Sequence, residues 1–382
     1  MHIYATRKVL NAFEKAVKQT GESIDNVTFL DEEESHKGHS FFEWHANIVQ
    51  LENDECLILT HDDSGLSLIL LNVYSEELID FYDWFDESVY DLLEKIGFSQ
   101  HSIQKFFSHE DSYGLTISRA VDQQKIGRNS SVINIVRQLD YYQEDEFIVQ
   151  SYWQYQVSRL NTSLKQGDRP FSAFIKQYEE RIEPVTYSVE MVEMEIRLKM
   201  GALPDVIRIV QMPMSLTFED LHDVIQTVFM WQKMHLHQFV LEDGAVIVGS
   251  EQKYNIDRYQ IDGNDEAYAA SHLKLIDTIT PEVNGVFTYI YDFGDSWEHS
   301  IRVRKFYSEK KRCYPKLTLM SGDPVPENVG GAEGYKYFLD VIKDPTHEEH
   351  SVIKEWSNDY FSNLMIYNDV NHFNHDLKIM HT

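Results

Sequence analysis

Tyr289-Ile290-Tyr291-Asp292-Phe293-Gly294-Asp295-Ser296-Trp297-Glu298-His299-Ser300-Ile301 reads as a β-hairpin, with aromatic-rich strands on either side of a turn that contains Asp292, Gly294 and Asp295. From Trp297 the side chains alternate. Trp297, His299, Ile301 and Val303 share one face; Glu298, Ser300, Arg302 and Arg304 share the other. The first face is apolar apart from His299, so the pattern predicts an inward-pointing ring. A buried polar group needs a partner. Asp292 or Asp295, across the turn, is expected to accept from that ring, with Gly294 supplying the turn. The pair reads first as a structural clamp, and otherwise as a general base or ligand.

Two further histidines lie upstream. His235 and His237 are spaced i, i+2 in a segment that reads as a strand, His235 to Leu241, and so fall on one face. That spacing suits two metal ligands, with a carboxylate completing the set. The candidate cluster is therefore His235, His237, Tyr291, Asp292, Asp295, Trp297 and His299. A divalent metal, if one binds, falls to His235, His237 and Asp292; the pattern otherwise calls for no cofactor. His347 and His350 lack the zincin spacing and read as an exposed helix face. Gly330, Gly331 and Gly334 precede a helix without the Lys-Ser/Thr of a phosphate loop, and a tight turn explains them.

With 382 residues, the chain has the length of two or three domains, and 42% hydrophobic content suffices for real cores. The net charge of −29 argues against direct binding to nucleic acid or to anionic membranes, and suits basic partners or none. The local basic stretch around Arg302, Arg304, Lys305 and Lys310-Lys311-Arg312 reads as a solvated strand face and loop. The longest apolar run, Leu66 to Val73, is far too short for a bilayer, and no signal-peptide core follows Met1. A cytoplasmic protein is expected. The two cysteines, Cys56 and Cys313, give neither zinc spacing nor a disulfide framework.

The fold class expected is α+β: two domains, 1–143 and 187–382, each an antiparallel sheet or meander flanked by helices, joined by a helical connector over 144–186. In the first, His2 to Thr6 reads as a strand followed by a helix to about Lys18. The stretch from Gly21 to Ser40 reads as a polar loop, and Glu55 to Thr60 and Ser67 to Val73 as meander strands. In the second, Val189 to Leu198 and Val206 to Val210 read as strands. Ser215 or Thr217 caps a helix whose stripe is Leu221, Val224, Ile225, Val228 and Phe229. Asp344-Pro345 reads as the start of the last helix.

Four blocks carry a family resemblance. They are Thr217 to Gln226; Trp231 with His235 to Phe239; Tyr291 to His299; and Pro326 to Tyr335, followed by Asp344-Pro345. In order and spacing they resemble the plasmid pRiA4b ORF-3-like family, also called transposon-passenger TnpR-like. The resemblance implies an α+β domain and no established activity, with a context of mobile elements or phage–host conflict. Many relatives have cysteines near the fourth block, and none stands between Leu319 and Asn328 here, so a thiolate metal site is not expected. The first half resembles an uncharacterised bacterial domain of unknown function. The matching residues are His2 to Thr6, Trp44-His45-Ala46-Asn47, Glu55 to Thr60 and Ser118-Arg119.

Trp44, His45, Asn47 and Arg119 form a second candidate pocket. No nucleophile elbow, P-loop or catalytic thiol motif is present. The reading that results is a non-catalytic binding or adaptor protein with a protein partner. The alternatives are a metal-dependent hydrolase or nuclease-like enzyme built on the His/Asp cluster, and an acidic DNA mimic.

Overall fold

The opening run His2–Ala5, strand β1, lies inside a sheet rather than at its edge. The computed structural model describes the chain except residues 31–39, 52–53, 74–75, 144–146, 162–168, 260–266, 365–372, 375–376 and 379–382. Two compact units are present, one from Met1–Ser188 and the other from Val189–Glu309 with Cys313–His381.

In the first unit β1 is followed by α1 (Arg7–Thr20), β2 (Val27–Phe29), β3 (Glu43–Gln50), β4 (Glu55–His61) and β5 (Ser67–Leu71). Then come α2 (Phe81–Lys95), α3 (Gln100–Phe107), β6 (Leu115–Arg119), α4 (Gln123–Gln138), α5 (Ser151–Leu160) and α6 (Pro170–Arg181). The strand order is β2-β6-β1-β3-β4-β5. The expected meander is β3-β4-β5, antiparallel throughout. The other pairings correct the expectation of an antiparallel sheet: β1 runs parallel to β3 and β6, and β2 parallel to β6. Parallel neighbours need crossovers, and the helices between these strands supply them. The polar stretch after Gly21 contains the edge strand β2; its acidic part, 31–34, lies outside the described residues.

The segment read as a connector packs into this unit. Tyr152, Trp153 and Val157 of α5 share one core with Val49, Cys56, Ile58, Ile69 and Leu71 of the meander and with Val132 and Val136 of α4. Its composition suggests a solvated surface, but Gln150, Gln154 and Gln156 are buried. Gln154 Nε2 donates to the Ser88 carbonyl at 3.1 Å, and the Gln154 backbone N–H to the Gln150 carbonyl at 2.8 Å. Tyr178 of α6 is fully buried and donates to the Ser102 carbonyl at 2.8 Å.

The second unit contains β7 (Val189–Leu198), β8 (Val206–Pro213), α7 (Phe218–Phe229), β9 (His237–Val240), β10 (Val246–Val248), α8 (Ser250–Tyr259) and β11 (Tyr268–Ala269). It continues with α9 (Leu275–Thr278), β12 (Val286–Tyr291), β13 (Trp297–Glu309), β14 (Lys316–Ser321), α10 (Gly331–Lys343) and α11 (His350–Leu364). Its eight strands run in the order β11-β10-β9-β12-β13-β7-β8-β14. All neighbours are antiparallel except β10 and β11.

Helix α7 begins where a capping box places it. Thr217 Oγ1 accepts from the Asp220 N–H at 3.3 Å, and Asp220 Oδ2 from the Thr217 N–H at 2.9 Å. Leu221, Val224, Ile225 and Val228 are fully buried, each contributing about 1.5–3 kcal/mol of apolar burial. The last helix starts at His350, not at Asp344. Asp344 Oδ1 instead closes a turn by accepting from the Thr346 N–H at 2.9 Å and its hydroxyl at 2.6 Å. Among the described residues, no helix is long and apolar enough to cross a membrane.

Candidate functional site

The expected hairpin forms, with Tyr289 opposite His299 and Tyr291 opposite Trp297; β9 lies on its other side, with His237 opposite Tyr291. The turn is made differently. Asp292 and Ser296, not Gly294, take left-handed backbone, each at φ 54°. Asp292 Oδ1 accepts from the Gly294 N–H at 2.9 Å, the Asx arrangement that makes such a conformation tolerable.

His299 is fully buried, as its face predicts, but neither aspartate reaches it. Its Nδ1 bonds to the Trp297 carbonyl at 3.2 Å, and the ring stands edge-on to Trp231 and Phe229. Burial lowers its pKa to about 3, against the opposing pull of the Trp297 and Tyr289 carbonyls, so the ring is neutral. The expected Asp–His299 pair is therefore replaced by other contacts. Asp292 Oδ2 lies 3.5 Å from Nε2 of His235, whose ring also meets Asn328 Oδ1 at 2.8 Å. Asp295 Oδ2 accepts from the Gly330 N–H at 2.9 Å and so ties the turn to the start of α10. A Cβ on Gly331 would sit 2.5 Å from the Asp295 carbonyl oxygen, and its φ of 68° also favours glycine.

Tyr291 and Glu327 organise the centre. The Tyr291 hydroxyl accepts from the backbone N–H groups of Met234 at 2.9 Å and His235 at 3.2 Å, and donates to Glu327 Oε1. Glu327 Oε2 accepts from the Gln232 N–H at 2.9 Å, and the Glu327 carbonyl from Trp297 Nε1 at 3.0 Å. Burial, reinforced by Glu327, pushes the Tyr291 phenol far above its usual range. Trp231 stacks on Tyr291 with centroids 5.3 Å apart. Glu327 was quoted in a sequence block, but nothing local marks it as the partner of a tyrosine 36 residues earlier.

His235 and His237 do not share a face. His235 precedes β9 and is partly exposed, whereas His237 begins the strand and points inward. The His237 ring lies on His222 of α7, 3.6 Å between centroids and 6° from parallel. Gln226 Nε2 donates to the Tyr289 hydroxyl at 3.1 Å, and that hydroxyl is hydrogen-bonded to His222 Nδ1 at 2.7 Å. Burial takes the His222 pKa well below its ordinary value and that of His237 to about 3. A Cβ on Gly249 would lie 2.8 Å from His237 Cε1, so this position must be glycine for the ring to fit. The expected metal trio of His235, His237 and Asp292 is thus not brought together. Among the described residues no group of three His, Cys, Asp or Glu is placed to hold a metal ion.

Outside this framed interior lies an apolar edge. Asp292 N–H donates to the Leu236 carbonyl at 3.0 Å, and around this bond Met234, Leu236 and Phe293 are 65%, 54% and 47% exposed.

The candidate pocket of the first unit divides between two faces of its sheet. Ile3 pairs with both Trp44 and Ile117, which puts Trp44 and Arg119 on one side and His45 and Asn47 on the other. Trp44 is buried against Phe85 and His61, and Asn47 Oδ1 accepts from the Thr6 hydroxyl at 3.1 Å. His45 Nδ1 meets Asp62 Oδ1 at 2.6 Å; Asp62 Oδ2 meets Lys125 Nζ at 2.6 Å; Lys125 also reaches Glu43 at 3.4 Å. Burial alone would raise the Asp62 pKa, but the bonds and charges of His45 and Lys125 hold it below its ordinary value. Nothing local in the sequence marks Asp62 and Lys125, 63 residues apart, as partners.

The profile of the plasmid pRiA4b ORF-3-like protein family matches residues 190–376, and that of a domain of unknown function, DUF6933, matches residues 2–187. An uncharacterised protein of Sinorhizobium fredii, y4hQ, is 31% identical over 186 residues, which is 47% of this chain and 91% of that protein. A crystal structure of a protein of unknown function from Methanosarcina mazei Go1 is 32% identical, covering 44% of this chain and 89% of that one, with a TM-score of 0.38. Through its second unit, the chain belongs to the plasmid pRiA4b ORF-3-like family.

Proposed function

We propose that the second unit is a non-catalytic protein-binding module whose working surface is the loop Lys233–Leu236 together with the hairpin turn Asp292–Ser296. One observation carries this reading: three large apolar side chains, Met234, Leu236 and Phe293, stand largely in water on backbone that is rigidly held from beneath. A large apolar side chain covered on binding contributes about 1.5–3 kcal/mol, and clustered exposure of this kind marks interaction sites. The interior supports the frame: Tyr291, Glu327, Trp231 and Trp297 bond to main chain or to one another. Asp292 and Asp295 border the edge, and with a chain charge of −29 the partner suited to it offers an apolar patch ringed by Lys or Arg.

The hydrolase reading required His235, His237, Asp292, Asp295 and His299 to converge. His237 and His299 are buried and neutral while His235 and Asp292 pair at the rim, so no shared metal or water position supports it.

The test is photo-crosslinking from a benzoylphenylalanine placed at position 293 of the full chain in its native host. A single crosslinked protein, lost when Leu236 is changed to Lys while the melting temperature holds, supports the module. Crosslinks that are absent, or unchanged by Leu236→Lys, overturn it.

A further inference from the structure

We propose that Met234 is a site of reversible oxidation, and that its sulfoxide switches off the docking edge of the second unit. The inference rests on the reading of that edge as a protein-binding surface. Its starting point is a contrast in exposure. Among the described residues Met234 is the one methionine that stands in water, at 65% exposure. Met191, Met194, Met200, Met212, Met214 and Met230 of the same unit are at most 8% exposed, and Met320 is half-buried. Thioether oxidation follows access, so a small peroxide meets Met234 first and leaves the packed interior intact. The backbone keeps that side chain where it is. Lys233 N–H donates to Gln226 Oε1 at 3.0 Å, and the N–H groups of Met234 and His235 donate to the buried Tyr291 hydroxyl at 2.9 and 3.2 Å. The Leu236 carbonyl accepts from the Asp292 N–H at 3.0 Å. Four consecutive residues are thus pinned through their main chain, and a modified Met234 stays on the edge that carries Leu236 and Phe293.

The chemistry is a two-electron oxygen transfer with hydrogen peroxide as oxidant. A lone pair on the Met234 sulfur attacks one peroxide oxygen. The S–O bond forms as the O–O bond breaks, the sulfur is oxidised, and the other oxygen leaves as water carrying both protons. A thiol-dependent methionine sulfoxide reductase reverses the step: two thiols become a disulfide, and the sulfoxide oxygen leaves as water. The sulfoxide is polar and accepts hydrogen bonds, whereas the partner suited to this edge offers apolar surface. Binding would then lose one apolar contact and bury an acceptor that has no donor. Leu236 and Phe293 offer no sulfur to the oxidant, so the response of the edge falls to Met234 alone.

Graded hydrogen peroxide treatment of the purified full chain, with benzoylphenylalanine at position 293, tests it through two readouts. Peptide mass spectrometry follows each methionine without any partner, and crosslinking in extract of the native host follows docking. Met234 is expected to gain one oxygen ahead of every buried methionine. Crosslinking should then fall at least about tenfold, the factor that one covered apolar side chain contributes. Methionine sulfoxide reductase with dithiothreitol should restore it. Met234→Leu keeps the apolar bulk without the sulfur, and should crosslink equally before and after peroxide. Oxidation of the buried methionines ahead of Met234, crosslinking that survives oxidation of Met234, or a peroxide effect undiminished in Met234→Leu would overturn the switch and leave the docking edge standing. No crosslink from the untreated chain would overturn the docking edge, and the switch with it.

Discussion

One histidine-centred cluster in each unit is buried, and the two are held by opposite strategies. In the first, an inward-facing histidine is clamped as part of a charged network: His45 to Asp62, Asp62 to Lys125, Lys125 to Glu43. In the second, His222, His237 and His299 are held neutral by burial among aromatic rings, hydroxyls and carbonyls, and among the described residues no carboxylate is bonded to them. The charged network balances desolvation against pairing, so removing one member strands a charge. The neutral cluster avoids that penalty but must exclude protons. The difference concerns robustness: one interior is vulnerable to losing a partner, the other to gaining a proton.

The largest effect is expected from Asp62→Asn, which leaves Lys125 without its closest carboxylate and His45 without its anion. Chemical denaturation of the first unit should show a loss of about 3 kcal/mol, the lower end of the range for broken buried pairs because Lys125 is partly solvated. In the second unit, Tyr291→Phe removes the acceptor of two backbone N–H groups and the donor to Glu327. It should cost about 2–3 kcal/mol in the same assay, since the carboxylate keeps its Gln232 bond.

Acid should separate the units next. An unfolded histidine titrates near 6.5, whereas His237 and His299 titrate near 3 and His222 well below 6.5 when folded. The unfolded state then binds more protons, so stability falls as pH drops below about 6.5, by up to about 1.4 kcal/mol per pH unit for each ring. Glu219 works the other way. Burial raises its pKa to about 7 from 4.5, so between those values it costs stability as pH rises. Three rings against one carboxyl leave a net acid sensitivity. In the first unit the lowered His61 is opposed by Asp86, raised by burial to about 6. Asp62, held low, loses its contribution only as pH falls through its depressed folded value, below 3.8. Cys56 and Cys313 are buried thiols, one in each unit, and report separately. Labelling with a disulfide reagent active in acid, between pH 6.5 and 4.5, should expose Cys313 before Cys56. The reverse order would contradict the comparison.

The smallest effect on stability belongs to the exposed edge. Met234→Ser should change unfolding free energy by less than about 0.5 kcal/mol, as exposed positions do, while abolishing crosslinking from position 293.

What the sequence disclosed followed physical range. Alternation along β13 placed His299 inward, and the Thr217 cap with its stripe placed α7, because both depend on neighbours a few residues away. Pairings across long separations were hidden. Lys125 reaches Asp62 across 63 residues, and Tyr291 finds Glu327 across 36. The meander was legible, but the parallel strands β1, β2 and β6 were not, since parallel register is set by distant crossovers. The helix α5 was misplaced because buried glutamines bonded to main chain imitate a solvated composition. The histidine pair His235 and His237 was misread because β9 begins only at His237, so the i, i+2 rule did not extend back to His235.

The central claim is that the histidines around the hairpin frame a surface and do no chemistry. Nitrogen-15 spectroscopy of the histidine side chains, recorded from pH 8 to pH 4.5 with and without zinc, tests it directly. The account predicts that His222, His237 and His299 stay neutral throughout and are unmoved by the metal. A His237 or His299 that protonates near pH 6–7, or that shifts on addition of one equivalent of zinc, would contradict it.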